Sequence, residues 1–468
     1  CDTNVVPTFS NHIQKSKPYP FTWRMVTNSG QDEGVIRPVI GERGWAYFPG
    51  SSMKGAFLRA CRKLHPDRSH RYCGGEGQDK ELHPGILRFH GGYPTNDTWL
   101  DDSMVDIVHP QENWQGNGTR LSHETPKVQI SLYQPTFIFG ISSAENLSDA
   151  EWVDIWQIWD KALEKGIGSR VSAGYGQIRS HGESKLLPVY LIGQGITSQR
   201  IDKQGEFRPN VFKAALRGHT RRLFNGITDQ KTADRLTKEL WGGIGKGESA
   251  TMGLLGIAFH APDLELDAWR AVGQQTPVSI YDTGDAILDI LVMDDRLPPE
   301  RREELKSFVI RLMKFSMLVG GFGKSWRRAD HRLFMPSYKR QMIGCHWQFT
   351  SRAERLYIPT QDDLLGIQRF LDTLHQQVQK FSWLTAIADR KAPSQTWKEA
   401  WCKGNVQVWG RIAEDQNDSL AIQWFHENYR QGHRIKQSDL TGSMNNIGRI
   451  WHRMYPHYLP TAKKAPPC

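Results

Sequence analysis

Segments that favour β-strands and segments that favour amphipathic helices follow one another in a regular order along this chain. The stretches PFTWRMV, WAYFPG, GILRFHG and KVQISLYQPTFIFGI are rich in β-forming residues and predict strands. Residues 48–64 (FPGSSMKGAFLRACRKL) predict a helix whose apolar residues share one arc: Met53, Ala56, Phe57, Ala60 and Leu64. We expect the hydroxyl of Ser51 or Ser52 to cap its first turn.

A second predicted helix begins at Ser148, which forms a capping-box pattern with Glu151. Its predicted apolar face consists of Trp152, Ile155, Trp156, Trp159 and Leu163. The glycine-rich segment GIGSRVSAGYGQI (residues 166–178) then leads to a last strand. The order strand, helix, strand, strand, helix, strand is that of the ferredoxin-like fold.

The same order starts again near residue 188. The predicted strands are PVYLIGQGI, GLLGIAFHA and AILDILVMD, and the predicted helices are NVFKAALRGHTRRLF and PPERREELKSFVIRLMKFSMLVG. A repeated order of elements indicates an internal duplication. We therefore predict an α+β protein with two tandem ferredoxin-like, RRM-like domains at residues 1–186 and 187–351. A long insertion is expected at about residues 91–126, and a mostly helical C-terminal region at residues 352–468.

The charge of the chain narrows the choice of partners. Its 468 residues carry a formal net charge of +10, which favours a polyanionic partner over a membrane surface or a neutral metabolite. No run of 18 apolar residues occurs, so no membrane span is expected. Six scattered cysteines do not form the pattern of a secreted disulfide framework, and we expect a cytoplasmic protein.

Two glycine-rich segments, GGIGKGES and GGFGKS, invite comparison with a nucleotide-binding P-loop. That motif needs a further glycine five residues before the Gly-Lys pair and a hydroxyl directly after the lysine. In GGFGKS, Leu318 occupies the position of the further glycine. In GGIGKGES, Gly247 occupies the position of the hydroxyl-bearing residue. We therefore expect no ATP site.

The turn Gly50-Ser51-Ser52-Met53-Lys54-Gly55, with Arg59 downstream, resembles the glycine-serine-lysine motif and basic helix of the RAMP superfamily of CRISPR proteins. The segment at residues 166–178 resembles the glycine-rich loop of that superfamily. Weaker forms recur at Arg217–Arg221 and in GGFGKSWRR (residues 320–328). These matches occupy equivalent points of both repeats and span roughly residues 20–350.

The chain is thus similar to a fusion of two backbone subunits of a type III CRISPR RNA-guided complex. The resemblance implies that the chain lies along CRISPR RNA, pairs it with complementary target RNA, and contacts companion subunits, including the large polymerase-like one. The insertion, with Trp99, His109 and Trp114, would be a thumb that kinks the guide–target duplex. The implied RNA-binding residues are Gly50, Ser51, Ser52, Lys54, Arg59, Gly168, Arg170, Arg217, Arg221, Lys324, Arg327 and Arg328.

The resemblance also implies a cutting site. Related subunits cleave target RNA with one aspartate between the first strand and the motif helix, using Mg²⁺ or Mn²⁺ to promote attack by a ribose 2′-OH. The corresponding loop here holds Asp32 and Glu33. Asp202, in the second repeat, is interpreted as a turn residue. Two alternatives stay open: a purely structural RNA-binding subunit, and a metal-independent endoribonuclease that processes CRISPR transcripts with a His or Tyr base.

A zinc site is a further expectation. Cys61, His65, His70 and Cys73 lie within 13 positions, at the end of the first motif helix and just after it. Thiolates and neutral imidazoles at such spacing can close a tetrahedral Zn²⁺ site, and some related subunits carry zinc there. Unpaired surface residues are the alternative.

Overall fold

The computed structural model describes residues 5–27, 31–32, 34–77, 80–102, 104–108, 127–243, 251–269, 277–319, 321–323, 346–358, 364–382, 400–412, 424, 428–429 and 433–434. We call the part up to residue 184 the first unit and residues 185–358 the second unit. The mixture of helices and mainly antiparallel sheets confirms the predicted α+β class.

The elements of the first unit are short strands around three helices. They are β1 (Gln14–Lys15), β2 (Tyr19–Pro20), β3 (Arg24–Met25), β4 (Gln31–Asp32), β5 (Val35–Ile36), α1 (Gly50–Leu64), α2 (Ser69–Cys73), β6 (Gly74–Glu76), β7 (Leu82–Pro84), β8 (Leu87–Pro94), β9 (Val105–Val108), β10 (Lys127–Ile130), β11 (Leu132–Tyr133), β12 (Thr136–Ser143) and α3 (Asp149–Leu163).

The central strand of the first unit is β12. It pairs antiparallel with β8 on one side and with β1 and β2 on the other, and a bridge between Phe21 and Ile178 adds one more strand position. The apolar arcs of α1 and α3 pack on this sheet, so that Phe57, Phe139 and Trp159 are fully buried in one core. The predicted helix faces are therefore the faces that the structure buries.

One expectation about α1 is wrong. Neither Ser51 nor Ser52 caps the helix, because the helix already starts at Gly50, and its N-cap residue, Pro49, offers no side-chain cap. Pro49 is extended (ψ 141°), and its carbonyl accepts the Met53 N–H at 2.9 Å. Leu64, expected on the buried arc, is the last residue of the helix and is 40% exposed. In contrast, the predicted cap of α3 is confirmed: Ser148 Oγ accepts the Glu151 N–H at 3.3 Å.

The second unit also packs helices on a mainly antiparallel sheet. Its elements are β13 (Lys185–Ile196), β14 (Ser198–Gln199), β15 (Gly205–Glu206), α4 (Asn210–Asn225), α5 (Gln230–Trp241), β16 (Leu255–His260), β17 (Glu265–Trp269), β18 (Val278–Asp282), β19 (Ala286–Val292), α6 (Pro299–Leu318) and β20 (His346–Phe349).

The four main strands of the second unit lie in the order β16-β19-β13-β20, with every neighbour antiparallel. This is the order second, third, first, fourth of a βαββαβ unit, and α4 and α6 bury Phe212, Leu216 and Phe308 in its core. In the first unit the fourth strand position is only the Phe21–Ile178 bridge. The interpretation as two complete ferredoxin-like domains therefore stays a prediction.

Two elements of the second unit are not predicted by the sequence pattern. Helix α5 follows α4 after four residues, and Asp229 caps it by accepting the N–H groups of Lys231 and Thr232. The hairpin β17–β18 lies between the middle strands, where β18 pairs with the C-terminal end of β13. Both are additions to the repeated order of elements.

The described C-terminal segments include α7 (Leu365–Gln379), β21 (Asn428–Tyr429) and β22 (His433–Arg434). Leu374 and Val378 of α7 are buried in the second core, and the Phe381 ring lies 5.0 Å from that of Phe308. This segment is thus packed onto the second unit, while the predicted boundary at residue 352 stays a prediction. Within the described ranges, no helix has the length and apolarity that a membrane crossing requires.

Candidate nucleic-acid interface

Helix α1 presents two basic side chains, Lys54 and Arg59, that no described carboxylate neutralises, whereas Lys63 at its end pairs with Glu183 and Asp295. Lys54 and Arg59 are exposed, while Met53 and Phe57 on the opposite arc are fully buried. Neither cation forms an ion pair with a described residue, and the first turn of the helix contains no acidic side chain. Ser51 is exposed at the same end. Such a surface suits a negatively charged ligand, since the helix dipole and the cations act in the same direction.

The start of α1 is fixed by close backbone contact. A Cβ on Gly50 would overlap the carbonyl oxygen of Phe89 on β8, and the Gly50 N–H donates to the Tyr47 hydroxyl at 3.2 Å. Glycine at this position lets the helix begin directly against the sheet. Gly50 therefore positions the motif, and its side chain offers nothing to a ligand.

Helices α1 and α4 share a glycine–arginine arrangement. Arg59 Nη1 lies 3.8 Å from the place that a Cβ on Gly55 would take. Arg222 Nη1 lies at the same distance from the corresponding place on Gly218. The missing side chain leaves room for a guanidinium to lie back along the helix one turn later.

This alignment changes which residues of α4 are equivalent to the basic face of α1. Arg217 corresponds to Lys54, and Arg222 corresponds to Arg59. The expected Arg221 instead pairs with Asp234 of α5 at 2.7 Å. Arg222 is thus a candidate that the sequence reasoning missed, although the Gly-x-x-x-Arg spacing common to both helices was a signal for it.

The glycine-rich loop (residues 166–178) is tied to the first unit by backbone hydrogen bonds. Gly168 has φ +87°, and a Cβ there would overlap the Val26 carbonyl oxygen, which accepts the Ser169 N–H at 2.9 Å. Arg170 is also left-handed (φ 59°) and is exposed. The loop therefore holds an arginine in an uncommon backbone conformation at the surface.

The same loop reaches the second unit. Ala173 forms a parallel bridge with Ile257 of β16, whose N–H donates to the Ser172 carbonyl at 3.2 Å. Lys213 Nζ of α4 donates to Ser172 Oγ at 2.6 Å. The loop of one unit thus lies against the motif helix of the other.

The backbone of Asp32 belongs to a small sheet that also contains the base of the insertion. The strand order is β4-β5-β10-β9; Asp32 lies opposite Val35, and Val35 lies parallel to Val128. Strands β10 and β9 flank the insertion, with Val128 opposite Ile107. The side chain of Asp32 and the whole of Glu33 lie outside the described residues.

The insertion begins later than its expected start. Residues 91–94 are part of β8, and Trp99 is buried, with its ring 6.0 Å from that of Trp45. Trp99 is therefore a core residue that no base can stack on. His109 and Trp114 lie outside the described residues.

Ion pairs attach the first unit, including the base of the insertion, to the second unit. The pairs are Arg24–Glu206, Arg208–Asp106 at 2.8 Å, and Arg200–Asp102. Arg24 and Glu206 are 0% and 5% exposed, and Arg24 Nη1 also donates to Ser131 Oγ at 3.1 Å. A displacement of this small sheet would thus be felt in the β14–β15 hairpin that carries Glu206.

Comparison with known proteins gives little further information. No family model and no curated protein matches the sequence. A chain in a solved structure titled "Type IV-B CRISPR Complex" is similar over 34% of this chain and 86% of its own length, with 13% sequence identity and a TM-score of 0.25. A likeness of that strength carries no argument about fold or function.

The four expected zinc ligands are divided between the interior and the surface. Cys61 and Cys73 are buried, and burial raises the pKa of their thiols to about 11 and about 12. Cys61 Sγ lies 3.6 Å from the His65 carbonyl oxygen, and the exposed His70 ring is 6.4 Å from that of His83. Among the described residues no group of three His, Cys, Asp or Glu side chains is placed to hold a metal ion. This arrangement does not fit a four-ligand site, and zinc stays a prediction.

Of the remaining expected positions, one lies in a described turn and three lie outside the described residues. Asp202 lies in the turn between β14 and β15, where it accepts the Gln204 N–H at 3.0 Å and the Arg200 Nε–H at 3.3 Å. The Gln204 N–H and the Arg200 guanidinium lower its pKa. Three basic positions of the second repeat lie outside the described residues: Lys324, Arg327 and Arg328.

Proposed function

We propose that this chain is a backbone subunit of a type III CRISPR effector complex, which holds CRISPR RNA by its phosphates and takes part in cleaving complementary target RNA. The observation that carries the proposal is the pair of exposed α1 cations, Lys54 and Arg59, with no described carboxylate beside them, together with the glycine–arginine arrangement that recurs in α4. Basic side chains at corresponding places on two helices suit a ligand whose charges repeat at intervals, as phosphates do along RNA. Base pairing would then read the target sequence, while the protein contacts the backbone.

Binding is tested by reversing the charge of the α1 face. Lys54→Glu with Arg59→Glu should weaken binding of labelled single-stranded RNA and reduce the magnitude of the salt slope by about 0.7 for each phosphate that is no longer neutralised. Both side chains are exposed, so the variant should fold normally. Lys231→Glu, an exposed lysine of α5, is the matched control and should change the affinity little. Equal RNA binding by the double variant and the wild type would contradict the proposal.

The cleavage proposal concerns Asp32, with Glu33 as the alternative carboxylate. Its support is the small sheet that contains both the Asp32 backbone and the strands flanking the insertion, where a thumb would splay a nucleotide. Attack by a 2′-OH needs an in-line geometry that a regular A-form duplex does not offer. Carboxylate oxygens suit Mg²⁺ or Mn²⁺, and a single carboxylate binds such an ion weakly. A bound ion would supply charge neutralisation at the scissile phosphate.

Cleavage is tested in the assembled complex with end-labelled complementary RNA. Asp32→Ala should bind the target normally and lose one cut, and Glu33→Ala is made in parallel. Asp202→Ala should leave every cut in place, because Asp202 is held in its turn by Gln204 and Arg200. Chelation of divalent ions should abolish the Asp32-dependent cut. An unchanged pattern of products in both Asp32→Ala and Glu33→Ala would leave a structural RNA-binding subunit.

One observation favours the metal-independent alternative. His90 Nε2 lies 2.8 Å from Ser142 Oγ, and burial together with His12 lowers the pKa of His90. A neutral imidazole can accept a proton from a 2′-OH at neutral pH. RNA cleavage that survives EDTA and is lost in His90→Ala would favour this alternative over the proposal built on Asp32.

A further inference from the structure

The ammonium group of Lys213 is partly buried at the junction of the two units, and no described carboxylate lies beside it. Its hydrogen-bond partner is the neutral Ser172 hydroxyl, at 2.6 Å. Of the charged groups on the described elements, Arg217 is the one that acts on it, and Arg217 is also positive. Burial and this like charge lower the pKa of Lys213 to about 8. The protein thus keeps a cation in an unfavourable place.

Other lysines near the junction are treated differently. Lys161 lies 2.9 Å from both Glu164 and Glu183, and Lys165 pairs with Asp295. The Lys161 pairs lie within the first unit, and the Lys165 pair joins the two units. Lys213 has no such balance among the described residues, so a role in holding the units together does not explain its charge.

The loop segment above Lys213 offers peptide donors. The N–H groups of Arg170, Val171 and Ser172 donate to no acceptor in the described structure, although neighbouring Ser169 and Ala173 both donate to carbonyl oxygens. The Val171 side chain packs on Leu291 and Met293 of the second unit, which holds the segment in place. Successive peptide N–H groups beside a left-handed residue, as at Arg170, are a recurrent way of binding anions.

We propose that Lys213, Ser172 and the peptide groups of residues 170–172 form a binding site for one phosphodiester group of the CRISPR RNA backbone. An anion here would be the negatively charged partner that no described carboxylate provides for Lys213, and it would accept hydrogen bonds from these N–H groups. The exposed Arg170 would contact the same strand on the outer side of the loop. The inference rests on the proposed function, because it assumes that the ligand on the basic face of α1 is RNA. It adds a phosphate site made jointly by the two units.

The test compares Lys213→Gln with the wild type, using labelled oligouridylate over a range of salt concentrations. Removing one lysine–phosphate interaction should weaken binding about three- to tenfold and reduce the magnitude of the salt slope by about 0.7, the value for single strands. Lys231→Gln serves as the matched control and should bind like the wild type. Oligouridylate binding by Lys213→Gln with an unchanged affinity and slope would overturn the proposal.

A second variant guards against loss of folding. Ser172→Glu places a carboxylate beside Lys213 and should therefore raise the melting temperature of the free protein while weakening oligouridylate binding by a similar factor. Inorganic phosphate should raise the melting temperature of the wild type and have less effect on either variant. Protection by phosphate without any change in oligouridylate affinity would show a site for a free anion and overturn the RNA assignment.

Comparing the α1 double variant with Lys213→Gln distinguishes a failure of the junction site from a failure of the proposed function. If the α1 double variant loses RNA binding and Lys213→Gln does not, the junction site is wrong while the proposed function stands. If neither variant changes RNA binding, both are wrong. Weakening in both variants supports both.

Discussion

Replacing Glu206 by leucine removes the anionic half of a fully buried ion pair between the two units. Arg24 is 0% exposed and keeps its side-chain bond to Ser131 Oγ at 3.1 Å. A buried charge that loses its partner typically costs about 3–5 kcal/mol, because desolvation is no longer compensated. We expect Glu206→Leu to lower the free energy of unfolding by about 4 kcal/mol, with Asp202→Ala, an exposed acid in the same hairpin, as the control.

The reverse change should cost less. In Arg24→Met, Glu206 still has Arg208, whose Nε lies 3.4 Å from its second carboxylate oxygen. We expect a loss of about 2–3 kcal/mol, the range for hydrogen bonds to charged groups. The double variant replaces both charges by apolar groups and should lose about 1–2 kcal/mol, because a buried pair is often worth little relative to such a replacement. The coupling free energy should then be about 4–6 kcal/mol, the sum of the two single losses less the loss of the double variant.

The assay is a double-mutant cycle by urea unfolding, followed by tryptophan fluorescence and repeated by calorimetry. Calorimetry is needed because the ion pair joins the two units. If Glu206→Leu uncouples the units, the calorimetric trace should show two unfolding transitions in place of one. Additive effects of the two substitutions would refute the reasoning, since they would show that Arg24 and Glu206 do not stabilise each other. Single losses below about 1 kcal/mol would show that water reaches the pair.

Two further predictions concern single positions on the motif helices. Gly50→Ala should lower the free energy of unfolding by about 2 kcal/mol or more, because the new Cβ would overlap the Phe89 carbonyl oxygen. Gly55→Ala should leave the free energy of unfolding unchanged or raise it by up to about 1 kcal/mol. Thermal unfolding of the two variants side by side checks this, and equal effects would contradict it. Lys213→Met should stabilise the free protein by up to about 3 kcal/mol below pH 8, the equivalent of a pKa lowered from 10.5 to about 8. Because the pKa of Lys213 is lower in the folded state, wild-type stability should rise with pH between about 8 and 10.5. The greater stability of Lys213→Met should therefore disappear over that range, which urea unfolding at several pH values would show. A stability difference that does not change with pH would contradict the assigned cause.

Periodicity was sufficient to predict the helices that pack on the sheets. The apolar arcs of α1, α3, α4 and α6 recur at helical spacing, so their buried faces follow from the sequence. Helix α5 was missed because the repeated order places a strand directly after α4, although Asp229 is a good capping residue. The N-cap of α1 was misjudged by two or three residues, since the start of the helix depends on the approach of Phe89, which lies in a distant part of the sequence.

The candidate site was less predictable than the fold. Lys54 and Arg59 follow from their places outside the apolar arc, and both are exposed as expected. The buried pair of Arg24 with Glu206 spans 182 positions and leaves no local pattern in the sequence. Nothing in the composition of α4 distinguishes Lys213 from Arg221, yet one lies under the loop of the other unit and one pairs with α5. Such differences arise only when distant segments meet.

The bridge between Ala173 and Ile257 also bears on aggregation. Strand β16 is the outer strand of the second sheet, with β19 on its inner side and the glycine-rich loop of the first unit on the other. A chain cut near residue 186 would leave the outer edge of β16, with its apolar sequence LGIAFH, without this cover. Uncovered apolar strand edges pair readily with other chains. The second unit produced alone should therefore self-associate, because the glycine-rich loop of the first unit normally covers the outer edge of β16.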